Sequence, residues 1–182
     1  MSDSAKKNIL IETSWSIEYV ERLSSYTHDI KDIGASIASG SFRTDGMVVI
    51  PCTVKTLSSI ANSFNDNLIV RAADVVLKER RRLVLVVRET PLHGGHLTLM
   101  SKANDLGAMI LPPVPAFYHQ PKTINDLIDH IVGKILDAFD IDHSLYKRWT
   151  GDGNETGGVC GKQVRSLGLQ DDGDSGRDRA VI

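Results

Sequence analysis

A chain of 182 residues, 41% apolar and 24% charged, has the composition of one globular domain and is too short for two cores of ordinary size. It holds no run of about 18 uncharged apolar residues, which excludes a bilayer-spanning helix as a prediction. With 21 basic against 23 acidic residues and a net charge of −2, it is not built mainly to coat nucleic acid.

Met1 to Lys7 show neither the apolar core of a signal peptide nor the arginine-rich pattern of a transit peptide. The two cysteines, Cys52 and Cys160, imply no disulfide framework. The expected setting is therefore intracellular, in cytoplasm or mitochondrion. A first helix is expected around Ile17, Val20 and Leu23. Gly34 to Thr44, with Ser36, Ser39, Gly40 and Ser41, reads either as a phosphate cradle or as a plain loop, and no GxGxxG fingerprint occurs.

The run Met47 to Ile50 is short, β-branched and without alternation, as a strand buried on both faces is. Helical stripes follow at Leu57, Ile60, Ala61 and Phe64, then at Leu68, Ala72, Val75 and Val76. Lys78-Glu79-Arg80-Arg81-Arg82 reads as a helix C-terminus whose cations complement the dipole. Leu83 to Val87 repeats the buried-strand pattern. A helix carrying His96, Leu99, Met100, Ala103 and Leu106 closes at Gly107, and a third strand spans Ala108 to Leu111. The box Thr123-x-x-Asp126 opens the last helix, which carries Ile124, Leu127, Ile128, Ile131, Ile135, Leu136 and Phe139. From Thr150 to Ile182, 8 of the 15 glycines accompany almost no large apolar residue, so residues 150–182 are expected to be a disordered tail on a domain of residues 1–149. Strands alternating with helices predict an α/β, doubly wound, Rossmann-like three-layer fold around a parallel sheet.

Ligands of such sheets sit beyond the carboxyl ends of the strands. After the first strand, Pro51-Cys52-Thr53-Val54-Lys55-Thr56 gathers hydroxyls and an ammonium at a helix start, so Thr53 serves as a cap, an anion ligand or both. Cys52 reads as a small buried apolar residue rather than a nucleophile. After the second strand come Arg88 and Glu89, either a structural ion pair or planar donors for a phosphate or a flavin carbonyl. After the third, three prolines within Pro112-Pro113-Val114-Pro115 stiffen the approach to Tyr118, a substrate-contact candidate. Lys134 by itself reads as a solvated residue. His93-x-x-His96 lacks the further ligands a metal site needs.

The strings Ile33-Gly34-Ala35-Ser36-Ile37-Ala38-Ser39-Gly40-Ser41-Phe42-Arg43-Thr44-Asp45-Gly46-Met47, Arg71-Ala72-Ala73-Asp74-Val75-Val76-Leu77-Lys78-Glu79-Arg80-Arg81, Val87-Arg88-Glu89-Thr90-Pro91-Leu92-His93 and Pro112-Pro113-Val114-Pro115-Ala116-Phe117-Tyr118 closely resemble the UbiX-type flavin prenyltransferases. The resemblance runs from about Ser2 to about Trp149. It implies transfer of a dimethylallyl group from dimethylallyl phosphate to reduced FMN, at N5 and then C6, without a metal. It also implies a large homo-oligomer, commonly a dodecamer, with sites between subunits, whose product serves a UbiD-type decarboxylase.

Carried onto this sequence, the resemblance assigns flavin contacts to Ser2, Thr53, Val54, Lys55, Thr56 and Arg88, and prenyl-phosphate contacts to Tyr118 and Lys134. Relatives often have arginine at the latter position. Arg71, Lys78, Glu12 and Glu89 match charged family positions near the active site. Cations there would stabilise the leaving phosphate, and a carboxylate such as Glu89 would assist proton movement.

One departure concerns the start of the chain. The family begins with a strand, a Gly-Ala-Ser-Gly loop, a helix and a second strand that have no match here, so an N-terminally truncated fold is expected. Two other readings stand beside the prenyltransferase: a catalytically incomplete flavin-site subunit that acts only with full-length protomers, and a flavin-dependent cysteine decarboxylase, whose catalytic histidine and Pro-Ala-Ser-Ala-Asn-Thr-type string are not seen.

Overall fold

A computed structural model describes residues 1–148. The expected tail and Cys160 lie outside the described residues. Ten elements follow in order: α1 (Asp3–Glu12), α2 (Ile17–Glu21), a 3-10 turn (Ser36–Ala38), β1 (Gly46–Cys52), α3 (Val54–Ala61), α4 (Leu68–Lys78), β2 (Arg82–Val87), α5 (Gly94–Asp105), β3 (Ala108–Ile110) and α6 (Ile124–Ala138). No helix among the described residues is long and apolar enough to cross a membrane.

The strands form one parallel sheet in the order β1-β2-β3. Met47 faces Leu83, Val49 faces Leu85, and Leu83 in turn faces Ala108. Successive side chains of a strand point to opposite faces, and both faces are covered. On one face Met47, Val49, Leu83, Leu85 and Val87 pack with Leu57, Ile60, Val70, Val76 and Ala103 of α3, α4 and α5. On the other, Val84 and Val86 pack with Ile135 of α6 and with Phe139, which caps that helix. This three-layer arrangement explains the unbroken apolar run Leu83 to Val87, each residue of which is at most 2% exposed.

Local chemistry sets the element boundaries. Asn67 caps α4 by accepting from the Val70 N–H at 3.2 Å. Thr123 and Asp126 form the expected reciprocal box at the start of α6. The stripe that includes Phe64 does not continue as one helix. Asn62 ends α3, Ser63 turns into the left-handed region at φ 52°, and Phe64 is left 63% exposed. Helix α1 has no apolar stripe to announce it. Ser2 starts it by accepting from the Ala5 N–H at 3.1 Å, and it buries no residue.

The segment Gly34 to Thr44 is tied to α4. Arg71 Nε donates to the Ala38 carbonyl at 3.2 Å, and Arg81 donates to the carbonyls of Gly40 and Phe42, each at 2.7 Å. Arg81, expected at a helix C-terminus, lies past the end of α4 and serves this loop instead, while Arg82 opens β2.

Candidate functional site

Strand β1 delivers Thr53 to the N-terminus of α3. Thr53 Oγ1 accepts from the Thr56 N–H at 3.3 Å, and the two threonine hydroxyls lie 3.2 Å apart. One hydroxyl hydrogen of the pair remains for an outside acceptor. The first turn of a helix also leaves backbone N–H groups without intrahelical partners, and these favour an anion. Lys55 is exposed on this turn, with Val54 and Thr56 half-buried beside it.

Strand β2 delivers Arg88 to the same end of the sheet. Its N–H donates to the Cys52 carbonyl at 3.3 Å, which places Arg88 beside the Cys52–Thr53 peptide, and its residue is exposed. The combination of hydroxyls, free N–H groups, an ammonium and a planar guanidinium fits a group that carries both a phosphate and ring carbonyls, as FMN does. Cys52 is fully buried beneath this set, and burial pushes its thiol pKa up to about 12, so it supplies no thiolate.

The third strand leads to a second set. The prolyl loop carries Tyr118 to α6, where its hydroxyl lies 2.9 Å from His130 Nε2. Lys134 stands one helical turn beyond His130. His130 and Lys134 line an open cavity of about 400 Å³ together with Leu111, Pro112 and Val114. Lys134 Nζ is 3.9 Å from the Asp137 carboxylate and 5.6 Å from the centre of the Tyr146 ring. It is exposed and holds no closer carboxylate partner among the described residues.

Asp137 anchors the chain that follows α6. Its carboxylate accepts from Arg148 at 2.6 Å, from the Tyr146 hydroxyl at 2.5 Å and from His143 Nε2 at 3.0 Å. Arg148 above all, then Tyr146 and His143, hold its pKa well below the usual carboxylate range. Gly133 makes this possible, because a Cβ there would lie 2.5 Å from the Tyr146 ring and 2.6 Å from His143.

Of the remaining charged candidates, Glu89 follows Arg88 at the same strand end, while Lys78, Arg71 and Glu12 stand apart within one chain. Lys78 ends α4 and pairs with Glu79, at the amino end of β2. Arg88 is at the other end of that strand, about 20 Å away at strand rise. Arg71 is held by the Ala38 carbonyl and by Asp74 at 3.2 Å. Among the described residues, Glu89 accepts only from the N–H of its neighbour Thr90, at 3.2 Å. Glu12 is exposed at the end of α1, and Ser2 caps that helix. No hydrogen bond or ion pair among the described residues joins Lys78, Arg71 or Glu12 to the Thr53–Arg88 set or to the Tyr118–Lys134 set.

His130 has little to mark it in the sequence because it sits inside the apolar stripe of α6. Its i to i+4 spacing from Lys134 was the available signal. His93, by contrast, caps α5 by accepting from the Gly95 N–H at 3.0 Å.

The Flavoprotein family model matches residues 1–136. Over 151 residues the chain is 62% identical to a protein of Thauera aromatica named flavin prenyltransferase UbiX, covering 83% of this chain and 78% of that one. It is 55% identical over 153 residues to the protein of the same name from Escherichia coli strain K12, with 83% and 81% covered. Among solved structures it is similar to AnUbiX (PadA1) in complex with FMN and dimethylallyl pyrophosphate, with TM-score 0.82, 52% identity and 84% and 81% covered. It is also similar to a dodecameric FMN-dependent UbiX-like decarboxylase from Escherichia coli O157:H7, with TM-score 0.81, 48% identity and 83% and 82% covered.

Proposed function

This chain belongs to the Flavoprotein family, among its UbiX flavin prenyltransferases, and from that premise we propose that it alkylates reduced FMN with the dimethylallyl group of dimethylallyl phosphate. It is a transferase of alkyl groups. The observation that carries this reading is the placement of Thr53, Lys55, Thr56 and Arg88 at the carboxyl ends of two adjacent parallel strands.

Bound reduced FMN supplies a nucleophilic ring, N5 first and C6 second. The chain's own work is to hold two phosphorylated molecules and neutralise the phosphate that leaves. Thr53, Val54, Lys55 and Thr56 would hold the flavin phosphate through hydroxyl, backbone N–H and ammonium donors, and Arg88 would supply planar donors for the ring's carbonyl oxygens. Tyr118 and Lys134 hold the prenyl phosphate, where a hydroxyl and an ammonium stabilise charge as the allylic C–O bond breaks. With that charge supplied by side chains, we write the reaction without a metal ion.

Since Lys78 and Arg71 lie away from both sets in one chain, we place them, with Glu12, Glu89 and Ser2, at a site completed by a second copy in a homo-oligomer. The dodecamer named for the Escherichia coli O157:H7 relative supports that reading. We take residues 1–149 as the flavoprotein domain. We assign the product to a UbiD-type decarboxylase and the protein to the cytoplasm or mitochondrion, a reducing setting consistent with the free buried thiol of Cys52.

The test is anaerobic incubation of the purified chain with reduced FMN and either dimethylallyl phosphate or dimethylallyl pyrophosphate, followed by mass spectrometry. Prenylated flavin from the monophosphate is expected. Bound FMN without prenylated product from either donor would overturn the reading.

A further inference from the structure

The prolyl loop and α6 meet at a histidine that the flavin side does not use. His130 is 6% exposed. The ring of His119 stacks on it, with centroids 4.8 Å apart and planes at 10°, and the Tyr146 ring closes another side at 4.8 Å. At its edge, the Tyr118 hydroxyl lies 2.9 Å from Nε2.

A phenol has one hydrogen to give. If His130 Nε2 is bare, Tyr118 donates to it and presents only lone pairs to an outside anion, which repel a phosphate oxygen. If Nε2 carries the hydrogen, Tyr118 accepts from His130 and keeps its own hydrogen for an outside acceptor. The direction of this one part-buried hydrogen bond therefore decides whether Tyr118 attracts or repels an anion.

We propose that His130 is a positioning residue that donates its Nε2 hydrogen to the Tyr118 oxygen and thereby commits the phenol hydrogen to a phosphate oxygen of the prenyl donor. This inference rests on the function proposed above and deepens it. Lys134 fits the same purpose: it lines one cavity with His130, and its ammonium would draw the same anion. Burial, His119 and Lys134 all lower the pKa of His130, which favours a neutral ring with a single hydrogen to place.

Two measurements on the full chain decide it. In histidine labelled with ¹⁵N, NMR correlation spectra identify the hydrogen-bearing nitrogen of His130, assigned through the His130→Gln variant. Hydrogen on Nε2 is expected, and a neutral ring with hydrogen only on Nδ1 overturns the proposal. In steady-state kinetics, His130→Gln keeps an N–H near the Nε2 position and should hold the KM for dimethylallyl phosphate within about threefold, whereas His130→Leu should raise it about tenfold with FMN affinity unchanged. The pair Tyr118→Phe and His130→Leu should be no worse together than Tyr118→Phe alone. Glutamine as poor as leucine, or additive losses, would mean that His130 only fills space. A wild-type chain that makes no prenylated flavin overturns the function itself, and the nitrogen assignment then still decides the direction of the Tyr118–His130 bond.

Discussion

The carboxylate of Asp137 receives the guanidinium of Arg148 at 2.6 Å, eleven residues further along the chain. With Tyr146 and His143 on the same carboxylate, this pair fastens the segment after α6 back onto the helix that carries His130 and Lys134. Asp137→Asn should lower stability in urea unfolding by about 1 kcal/mol. The side chain remains 24% exposed, so the loss stays below that of a sealed charge pair.

The sign of its pH dependence follows from the depressed pKa of Asp137. A depressed carboxylate contributes fully above its unfolded pKa of about 4 and loses that contribution as pH falls toward the folded value. The gap between wild type and Asp137→Asn should shrink as pH falls below about 4. A gap that widened in acid would contradict the ion pair.

Lys134→Met should reduce kcat/KM for dimethylallyl phosphate by about 100-fold, the worth of a charge-assisted contact to phosphate. Lys134→Arg should retain activity and tighten the donor, because a guanidinium offers two parallel donors where an ammonium offers a point charge. Steady-state kinetics with FMN saturating separate this effect from flavin binding. Equal activity of Lys134→Met and wild type would remove Lys134 from the phosphate site.

Much of the frame is visible in the residues themselves, and the reasons are physical. Leu83 to Val87 reads as a strand because both faces are covered and no position needs polarity. The start of α6 reads correctly because Thr123 and Asp126 satisfy each other's backbone N–H groups, a purely local arrangement. Phe64 misleads because its spacing continues the α3 stripe, while Asn62 ends the helix and Ser63 turns left-handed, which apolar spacing does not encode. The phosphate side was half legible. The prolines point to Tyr118, but the partner of its hydroxyl lies 12 residues away on another element, and no spacing rule connects a loop to a helix face.

Thr53 carries two loads that substitution can separate. Its hydroxyl caps α3 through the Thr56 N–H and borders the proposed flavin phosphate site. Thr53→Ser should preserve both. Thr53→Val should cost about 1 kcal/mol of stability as a lost cap and weaken FMN about tenfold while changing riboflavin affinity little, since only FMN has the phosphate. Fluorescence titration with both flavins checks this, and an equal loss for both would place Thr53 against the ring instead.

Cys52 gives a prediction independent of ligand. Its side chain is fully buried between the sheet and the α3–α4 layer, its Sγ lies 3.7 Å from the Thr53 carbonyl, and burial raises its pKa to about 12. The thiolate is the reactive form, so at pH 8 almost none exists in the native state, whereas the unfolded thiol, with a pKa near 8.5, is about a quarter ionised. In a Cys160→Ser background, iodoacetamide at pH 8 should leave the native chain unlabelled for hours and label it once in denaturant, as read by intact mass. Rapid native labelling would place Cys52 in solvent and require that β1 and α3 separate, which would also dismantle the Thr53 site above it.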